Sequence, residues 1–204
     1  MMRFDSKIQV VLEACRAIND PDNAFWIVPP ETGEFLYSKA HEVNAKYVLE
    51  IGTSIGYSTI FLAEAVRQIT GGNPSKGRVY TMESHAGRAA MARKHFEEAG
   101  LDNFITLIEK HAPDNIPFSD SGESLMGKID ILFLDCVKKY YLPCLEKTLP
   151  LLHKGSLVMA DNVVSHADAM QDFLQFMKKS SQFDSKILRI GTGVLFARAK
   201  NLLK

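Results

Sequence analysis

Hydrophobic positions along the chain change from helical to extended spacing and back in regular succession. Apolar residues recur every three or four positions from Ile8 to Ile18, which predicts an amphipathic helix over 6–19 that ends at Asn19-Asp20-Pro21. From Gly33 onward the pattern predicts helices over 33–43, 57–69, 86–99, 138–149 and 167–180, and strands over 47–51, 78–82, 104–108, 129–134, 155–160, 184–190 and 193–198. This succession is typical of a mostly parallel sheet with helices on both faces, closed here by an antiparallel hairpin.

The segment before this alternation has an unusual composition. Phe25-Trp26-Ile27-Val28 stand immediately before Pro29-Pro30. Apolar residues in a proline-rich loop either cover a site or pack on the core. The sequence therefore predicts one domain over 1–204, with an N-terminal helix and cover loop over 1–32 and a core over 33–204.

Two of the predicted strands stop abruptly at polar residues. The apolar run 131–134 ends at Asp135, and the run 157–160 ends at Asp161-Asn162. Ligands bind at the carboxyl ends of strands in open α/β sheets, and these three side chains carry hard oxygen donors that suit one cation. The neighbours Asp161 and Asn162 can face one ion only if the strand has broken its alternation there. Each residue alone has a plainer interpretation, because Asp135 and Asn162 could both be cap residues.

The first strand is followed by a turn with two glycines, Gly52 and Gly56. Glycine lets the backbone approach a ligand closely, and the first N–H groups of the next helix suit an anionic group. The turn lacks the G-x-G-x-x-G spacing of dinucleotide binders, and it could simply close a corner between strand and helix. The second strand ends at Glu83, from where a carboxylate can bind ribose hydroxyls. Together these features predict an adenosine-containing cofactor.

Composition narrows the class of partner. The 204 residues include 24 Lys and Arg against 24 Asp and Glu, so no net charge attracts nucleic acid or an anionic membrane, and a small-molecule partner is expected. Three cysteines without a C-x-x-C pair indicate reduced thiols in the cytoplasm. No run approaches the roughly 20 apolar residues of a membrane span, and no apolar leader follows the amino terminus. A soluble, unexported protein is therefore expected.

These residues, in this order, resemble the cation-dependent O-methyltransferases that use S-adenosylmethionine (SAM). The motifs that carry the resemblance are Glu50-Ile51-Gly52, Gly56-Tyr57-Ser58, Leu134-Asp135 with Lys138 and Tyr141, and Ala160-Asp161-Asn162. The family includes catechol O-methyltransferase and the plant caffeoyl-CoA O-methyltransferases. The resemblance implies an α/β fold of the Rossmann-like class I methyltransferase type, with a mostly parallel seven-stranded sheet and an antiparallel C-terminal hairpin.

The resemblance also implies roles for individual residues. Asp135, Asp161 and Asn162 match the metal ligands, for Mg²⁺ or else Mn²⁺ or Ca²⁺, and Lys138 matches the general base, with Asp135 as its catalytic neighbour. Cofactor contacts are implied for Val28, Glu50, Gly52, Tyr57, Ser58, Glu83, Ser84, Ala112 and Asp135. The sequence departs from the family at Cys136-Val137, where the catechol enzyme has His-Trp and the plant enzymes have Ala-Asp.

The implied activity is methylation of one hydroxyl of a catechol-like vicinal diol. One alternative acceptor is a hydroxylated uridine in tRNA, which the neutral net charge disfavours. Another alternative is a module that binds SAM without catalysis. The helix over 6–19 could form a homodimer or could pack on the sheet.

Overall fold

The helices and strands of the computed structural model follow the predicted alternation. The structure describes residues 4–18 and 25–200, so the predicted helix stop at 19–21 and the loop residues 22–24 lie outside the described residues. The helices are α1 (Ser6–Ala17), α2 (Pro30–Glu42), α3 (Tyr57–Ile69), α4 (Ala86–Ala99), α5 (Tyr141–Thr148) and α6 (Gln171–Lys179). The strands are β1 (Tyr47–Ile51), β2 (Arg78–Met82), β3 (Ile105–Ile108), β4 (Ser119–Asp120), β5 (Glu123–Ser124), β6 (Ile129–Leu134), β7 (Leu152–Ala160), β8 (Phe183–Leu188) and β9 (Val194–Ala199).

Seven strands form one sheet in the order β3-β2-β1-β6-β7-β9-β8. The first five strands in this order pair in parallel, whereas β9 runs antiparallel to both β7 and β8. The predicted mostly parallel sheet with an antiparallel C-terminal hairpin is therefore confirmed. β4 and β5 form a separate two-stranded ribbon, which was not predicted because a two-residue strand carries no periodic signal.

The register of the parallel strands aligns their carboxyl ends. Ile51 pairs with both Met82 and Leu134, and Leu134 pairs with Ala160. The residues that follow these four along the chain are Gly52, Glu83, Asp135 and Asp161. Four predicted site residues therefore leave the sheet from one row across it.

Side chains on the two faces of the sheet pack into two apolar cores. Ile131 and Phe133 of β6 lie in the core formed with α1, α2, α3 and α4, whereas Leu132 and Leu134 lie in the core formed with α5 and α6. Residues 131–134 of β6 are buried on both faces, which explains their uninterrupted apolar sequence. The predicted arrangement of helices on both faces of the sheet is confirmed.

The ends of several elements differ from the prediction by a few residues. α2 begins at Pro30, since proline suits the first position of a helix. The predicted helix over 138–149 begins as a 3₁₀ turn, Lys138–Tyr140, and continues as α5 with Pro143 in its first turn. β7 extends back to Leu152, which pairs with Ile129 beyond an irregularity in the ladder.

The N-terminal helix α1 packs its apolar face against other helices of the same chain. Ile8, Val11, Leu12 and Cys15 are buried in the same core as α3 and α4. Of the two interpretations of this helix, packing inside the chain accounts for these four residues, whereas Ile18 at the end of the predicted stripe is 37% exposed. No helix in the described ranges is both long enough and apolar enough to cross a membrane.

Candidate active site

A cavity of about 760 Å³ opens at the carboxyl ends of the parallel strands. Residues 25–29, which precede α2, line it together with the strand ends. The predicted cofactor residues that line it are Val28, Gly52, Tyr57, Ser58, Glu83, Ser84, Ala112 and Asp135. The predicted catalytic and metal residues Lys138, Asp161 and Asn162 line the same cavity. The fold therefore brings both predicted groups of residues to one space.

Glu50 is the predicted cofactor residue that the structure places elsewhere, behind the cavity wall. Its carboxylate is fully buried and accepts hydrogen bonds from Ser58 Oγ and Thr81 Oγ1, both at 2.6 Å, and from Thr59 Oγ1. Burial raises the pKa of Glu50, whereas the three hydroxyl donors lower it. Glu50 therefore acts on the cavity indirectly, by orienting Ser58.

The turn after β1 has an unusual backbone conformation. Gly52, Ser54 and Gly56 have φ angles of 109°, 49° and 92°. The N–H groups of Gly52 and Thr53 both donate to the Met82 carbonyl at 3.1 Å, which ties the turn to the end of β2. A Cβ at position 52 would lie 2.0 Å from the carbonyl oxygen of Asp135. Only glycine fits here, because the turn and the end of β6 are in direct contact.

Gly52→Ala is expected to destabilise the fold and to weaken SAM binding. The substitution strains a positive φ and also displaces the Asp135 backbone, so the free energy of unfolding should fall by more than about 2 kcal/mol. Gly71→Ala is the matched control, since Gly71 has a φ of 63° but open space around its Cβ position. Denaturant unfolding and SAM titration of both variants would measure the difference. Equal behaviour of the two variants would show that the contact with Asp135 is unimportant.

Glu83 is held by three donors at the end of β2. Its Oε2 accepts from the Ser54 N–H at 2.9 Å, and its Oε1 accepts from the His85 N–H and from Arg88 Nη2, both at 2.8 Å. Arg88 Nε is buried and has no hydrogen-bond partner among the described residues. The guanidinium also lies 5.7 Å from the ring centroid of Trp26, which is 71% exposed. A carboxylate fixed in this way at the cavity wall can accept hydrogen bonds from the hydroxyl groups of a ribose.

Lys138 lies at the centre of a polar cluster at the other end of the cavity. Its Nζ donates to Asp135 Oδ1 at 3.2 Å and to Asn162 Oδ1, and it lies 3.1 Å from Tyr141 Oη. The pKa of Asp135 is raised to about 7, because burial, helped by the Asp161 charge, outweighs the Lys138 ammonium, which lowers it. Tyr141 Oη donates to the Asp161 carbonyl at 3.2 Å. Tyr141 therefore links the lysine to the end of β7.

Thr192 orients the two polar residues at the end of β7. Its Oγ1 donates to Asp161 Oδ1 at 2.9 Å and accepts from Asn162 Nδ2 at 3.0 Å. Asn162 has a φ of 62°, so the alternation of side chains along the strand ends there, and Asp161 and Asn162 can both face the cavity. Burial raises the pKa of Asp161, and the Thr192 hydrogen bond lowers it. In the sequence, Thr192 was recognisable only as a turn residue.

The chemistry of the polar cluster fits a hard cation. Its oxygen donors are two carboxylates and one amide, which Mg²⁺ and Ca²⁺ accept as ligands. The Lys138 ammonium touches both Asp135 and Asn162, so a positive charge already lies between two of the predicted ligands. Within residues 4–18 and 25–200, no group of three or more His, Cys, Asp or Glu side chains could hold a metal ion. The amide of Asn162 is thus needed to complete the predicted set.

Comparison with known proteins identifies the family. A family model described as O-methyltransferase matches residues 7–194. The chain belongs to this O-methyltransferase family. A catechol O-methyltransferase of Niastella koreensis is 34% identical over 145 residues, which cover 71% of this chain and 62% of that protein. The family predicted from the motifs is confirmed, although the chain spans less than two thirds of this relative.

Two solved structures of O-methyltransferases resemble the whole fold. TomG of Streptomyces achromogenes, involved in tomaymycin synthesis and solved in complex with SAM, has a TM-score of 0.81 at 25% identity, covering 98% of this chain and 92% of that one. An O-methyltransferase of Bacillus cereus, solved in complex with SAH, has a TM-score of 0.77 at 26% identity, covering 98% and 93%. The predicted class I methyltransferase fold is confirmed.

Proposed function

We propose that this protein is a SAM-dependent O-methyltransferase. The observation that carries the proposal is that the glycine turn and Glu83 line one cavity with Lys138, Asp161 and Asn162. A module that only bound SAM would not need a lysine and two carboxylates at the far end of the cofactor site. The two similar O-methyltransferases solved with SAM and with SAH support the choice of cofactor.

We propose a catechol-like vicinal diol as the methyl acceptor. Asp135, Asp161, Asn162 and Lys138 form a compact polar cluster, so two adjacent hydroxyls could reach it together. Beside the cluster, Val137 is 59% exposed and lines the cavity with Trp26, which offers apolar surface to an aromatic ring. The Niastella relative, named a catechol O-methyltransferase, supports the same acceptor class.

In this mechanism Lys138 acts as the neutral amine: its Nζ takes the proton of the hydroxyl that is methylated and becomes the ammonium. The acceptor oxygen then attacks the methyl carbon of the sulfonium, the carbon–sulfur bond breaks, and S-adenosylhomocysteine leaves. Tyr141 stays protonated, because burial raises its pKa well above the usual value, and its hydroxyl positions Lys138. Asp135, Asp161 and Asn162 would hold a divalent cation, most simply Mg²⁺. That cation, when bound, would supply Lewis-acid chemistry to the acceptor hydroxyls.

The segment 25–29 has a further role in this mechanism. It lines the cavity, and Ser54 Oγ of the glycine turn donates to the Phe25 carbonyl. The segment can thereby exclude water while the oxygen attacks the methyl group. Exclusion of water helps here because the reacting charges neutralise each other in the transition state.

We propose a cytoplasmic location because the three cysteines form no disulfide bond. Cys15, Cys136 and Cys144 are all free thiols. A homodimer through α1 would have to use the outer surface of that helix, where Val10 is 63% exposed, since Ile8, Val11, Leu12 and Cys15 are buried inside the chain.

Transfer of labelled methyl groups from SAM to a panel of acceptors tests the proposal. We expect product from catechol and caffeoyl esters but not from resorcinol or phenol, because only vicinal hydroxyls can reach the polar cluster together. If tRNA were the only member of the panel to give product, the methyl acceptor would be a nucleoside and not a catechol-like diol. SAM binding without product from any member of the panel would favour the non-catalytic alternative.

A further inference from the structure

Helix α4 packs directly against the turn that lines the cofactor end of the cavity. A Cβ on Gly56 would lie 2.4 Å from Phe96 Cε1 and 3.4 Å from Ala92 Cβ. On the same face of α4, the imidazole Nδ1 of His95 lies 2.8 Å from the carbonyl oxygen of Ile55. His95 is 7% exposed and Ile55 is fully buried. The helix therefore makes two apolar contacts and one buried polar contact with the turn.

The direction of the polar contact follows from its chemistry. A carbonyl oxygen can only accept, so His95 Nδ1 carries the hydrogen and donates it to Ile55. Cys15 Sγ lies 3.3 Å from the same nitrogen, so helix α1 covers the His95 side chain from the other side. Cys15 and His95 do not form a nucleophilic pair, because the thiol is buried and its pKa is raised to about 12.

The turn needs support from outside itself. Three of its five residues have positive φ, including Ser54, which is not a glycine. Such conformations persist only when the surrounding structure holds them in place. Gly52, Thr53 and Ser54 line the cavity, and the Ser54 N–H holds Glu83. A shift of the turn would therefore move several groups that face the cofactor.

We propose that His95 is a positioning residue: its Nδ1–H holds the Ile55 carbonyl and thereby fixes the turn at 52–56 in the conformation that binds SAM. The inference rests on the proposed function, because the role of His95 is defined by its effect on SAM binding. His95 is not among the residues that line the cavity, so it contacts neither SAM nor the methyl acceptor and acts through the turn.

Two substitutions separate the hydrogen bond from the packing. In His95→Asn the amide Nδ2 lies as many bonds from Cα as the imidazole Nδ1, so the donor is kept. In His95→Leu an apolar Cδ takes that place. We expect the dissociation constant for SAM to rise about tenfold in His95→Leu, a change of about 1.4 kcal/mol, and to stay within about threefold of wild type in His95→Asn. The KM for SAM should rise in parallel, whereas kcat at saturating SAM should change little.

Cys15→Ala is the control for loss of core packing. It removes the sulfur beside His95 but leaves the hydrogen bond to Ile55, so it should lower thermal stability without weakening SAM binding. Long-range ¹⁵N–¹H spectra of the wild-type imidazole test the donor without any variant, and a protonated Nδ1 is expected. Calorimetric titration with SAM at a temperature where each variant is folded gives the affinities.

The outcomes distinguish the inference from the proposed function. Equal SAM affinity in wild type and His95→Leu, or a wild-type imidazole protonated only at Nε2, would overturn the positioning role. Equal weakening in His95→Asn and His95→Leu would also overturn it, because packing alone would then explain the effect. Absence of SAM binding by the wild-type protein would instead overturn the proposed function.

Discussion

Lys138→Met is expected to lower kcat for methyl transfer by about 10²–10⁴-fold, the usual contribution of a general base. Methionine is unbranched and similar in length, but it cannot accept a proton. Lys138→Arg should lose a similar factor, because a guanidinium keeps the charge beside Asp135 and still cannot act as a base. The KM for SAM should change little in either variant. Initial rates at saturating SAM and acceptor measure the effect.

Lys139→Met is the control for these variants. Lys139 belongs to the same 3₁₀ turn, but it is exposed and its Nζ lies over the ring of Tyr140. Its rate should stay within about twofold of wild type, since isolated surface charges contribute little. If Lys138→Arg retained most of the wild-type rate, the lysine would supply only charge, and the base would have to be another group.

Removal of divalent cations with EDTA is expected to lower methyl transfer by at least about 10²-fold, because Lewis-acid stabilisation contributes several kcal/mol. SAM binding should persist, since Asp135 is the one residue predicted both to contact the cofactor and to bind the metal, and the glycine turn and Glu83 remain in place. Asp161→Asn should weaken Mg²⁺ binding at least about tenfold, because it removes one anionic ligand. Its side chain can still accept the hydrogen bond that Thr192 donates. Calorimetric titration with Mg²⁺ measures this second effect directly.

Asp168→Asn provides the comparison for the metal site. Asp168 is exposed on the 3₁₀ turn that follows the end of β7, so its loss removes the same charge without touching the cluster. Its Mg²⁺ affinity and rate should match wild type. Methyl transfer that continued unchanged in EDTA would contradict the metal role of Asp135, Asp161 and Asn162.

The positions of the strands could be predicted because runs of apolar residues along the chain mark the buried strands. The uninterrupted apolar run of β6 ends at Asp135, and the structure ends the strand at Leu134. The helix ends were predicted less well where 3₁₀ turns intervene, as at Lys138–Tyr140 and Ala167–Met170. A 3₁₀ turn and the first turn of an α-helix share nearly the same hydrophobic spacing, so the pattern cannot separate them.

The candidate site was only partly predictable. Gly52, Glu83 and Asp135 each follow a recognisable strand, and the family motifs add Lys138. Glu50 belongs to a recognisable motif as well, yet it lies behind the cavity wall, because alternate residues of a strand face opposite sides of the sheet. Arg88 could not be assigned beforehand, since its unpaired Nε and its contact with Glu83 depend on how α4 meets β2.

By itself the sequence determined that parallel strands end at polar residues suited to a cofactor and a cation, because apolar periodicity and abrupt strand ends are local properties. Only the tertiary structure decided which distant groups meet there. Thr192 bonds Asp161 from 31 residues away, and His95 bonds Ile55 from 40 residues away. Such contacts depend on strand register and on the angle at which helices pack. Neither quantity leaves a periodic signal in the chain, so the positioning of the site became visible only in the fold.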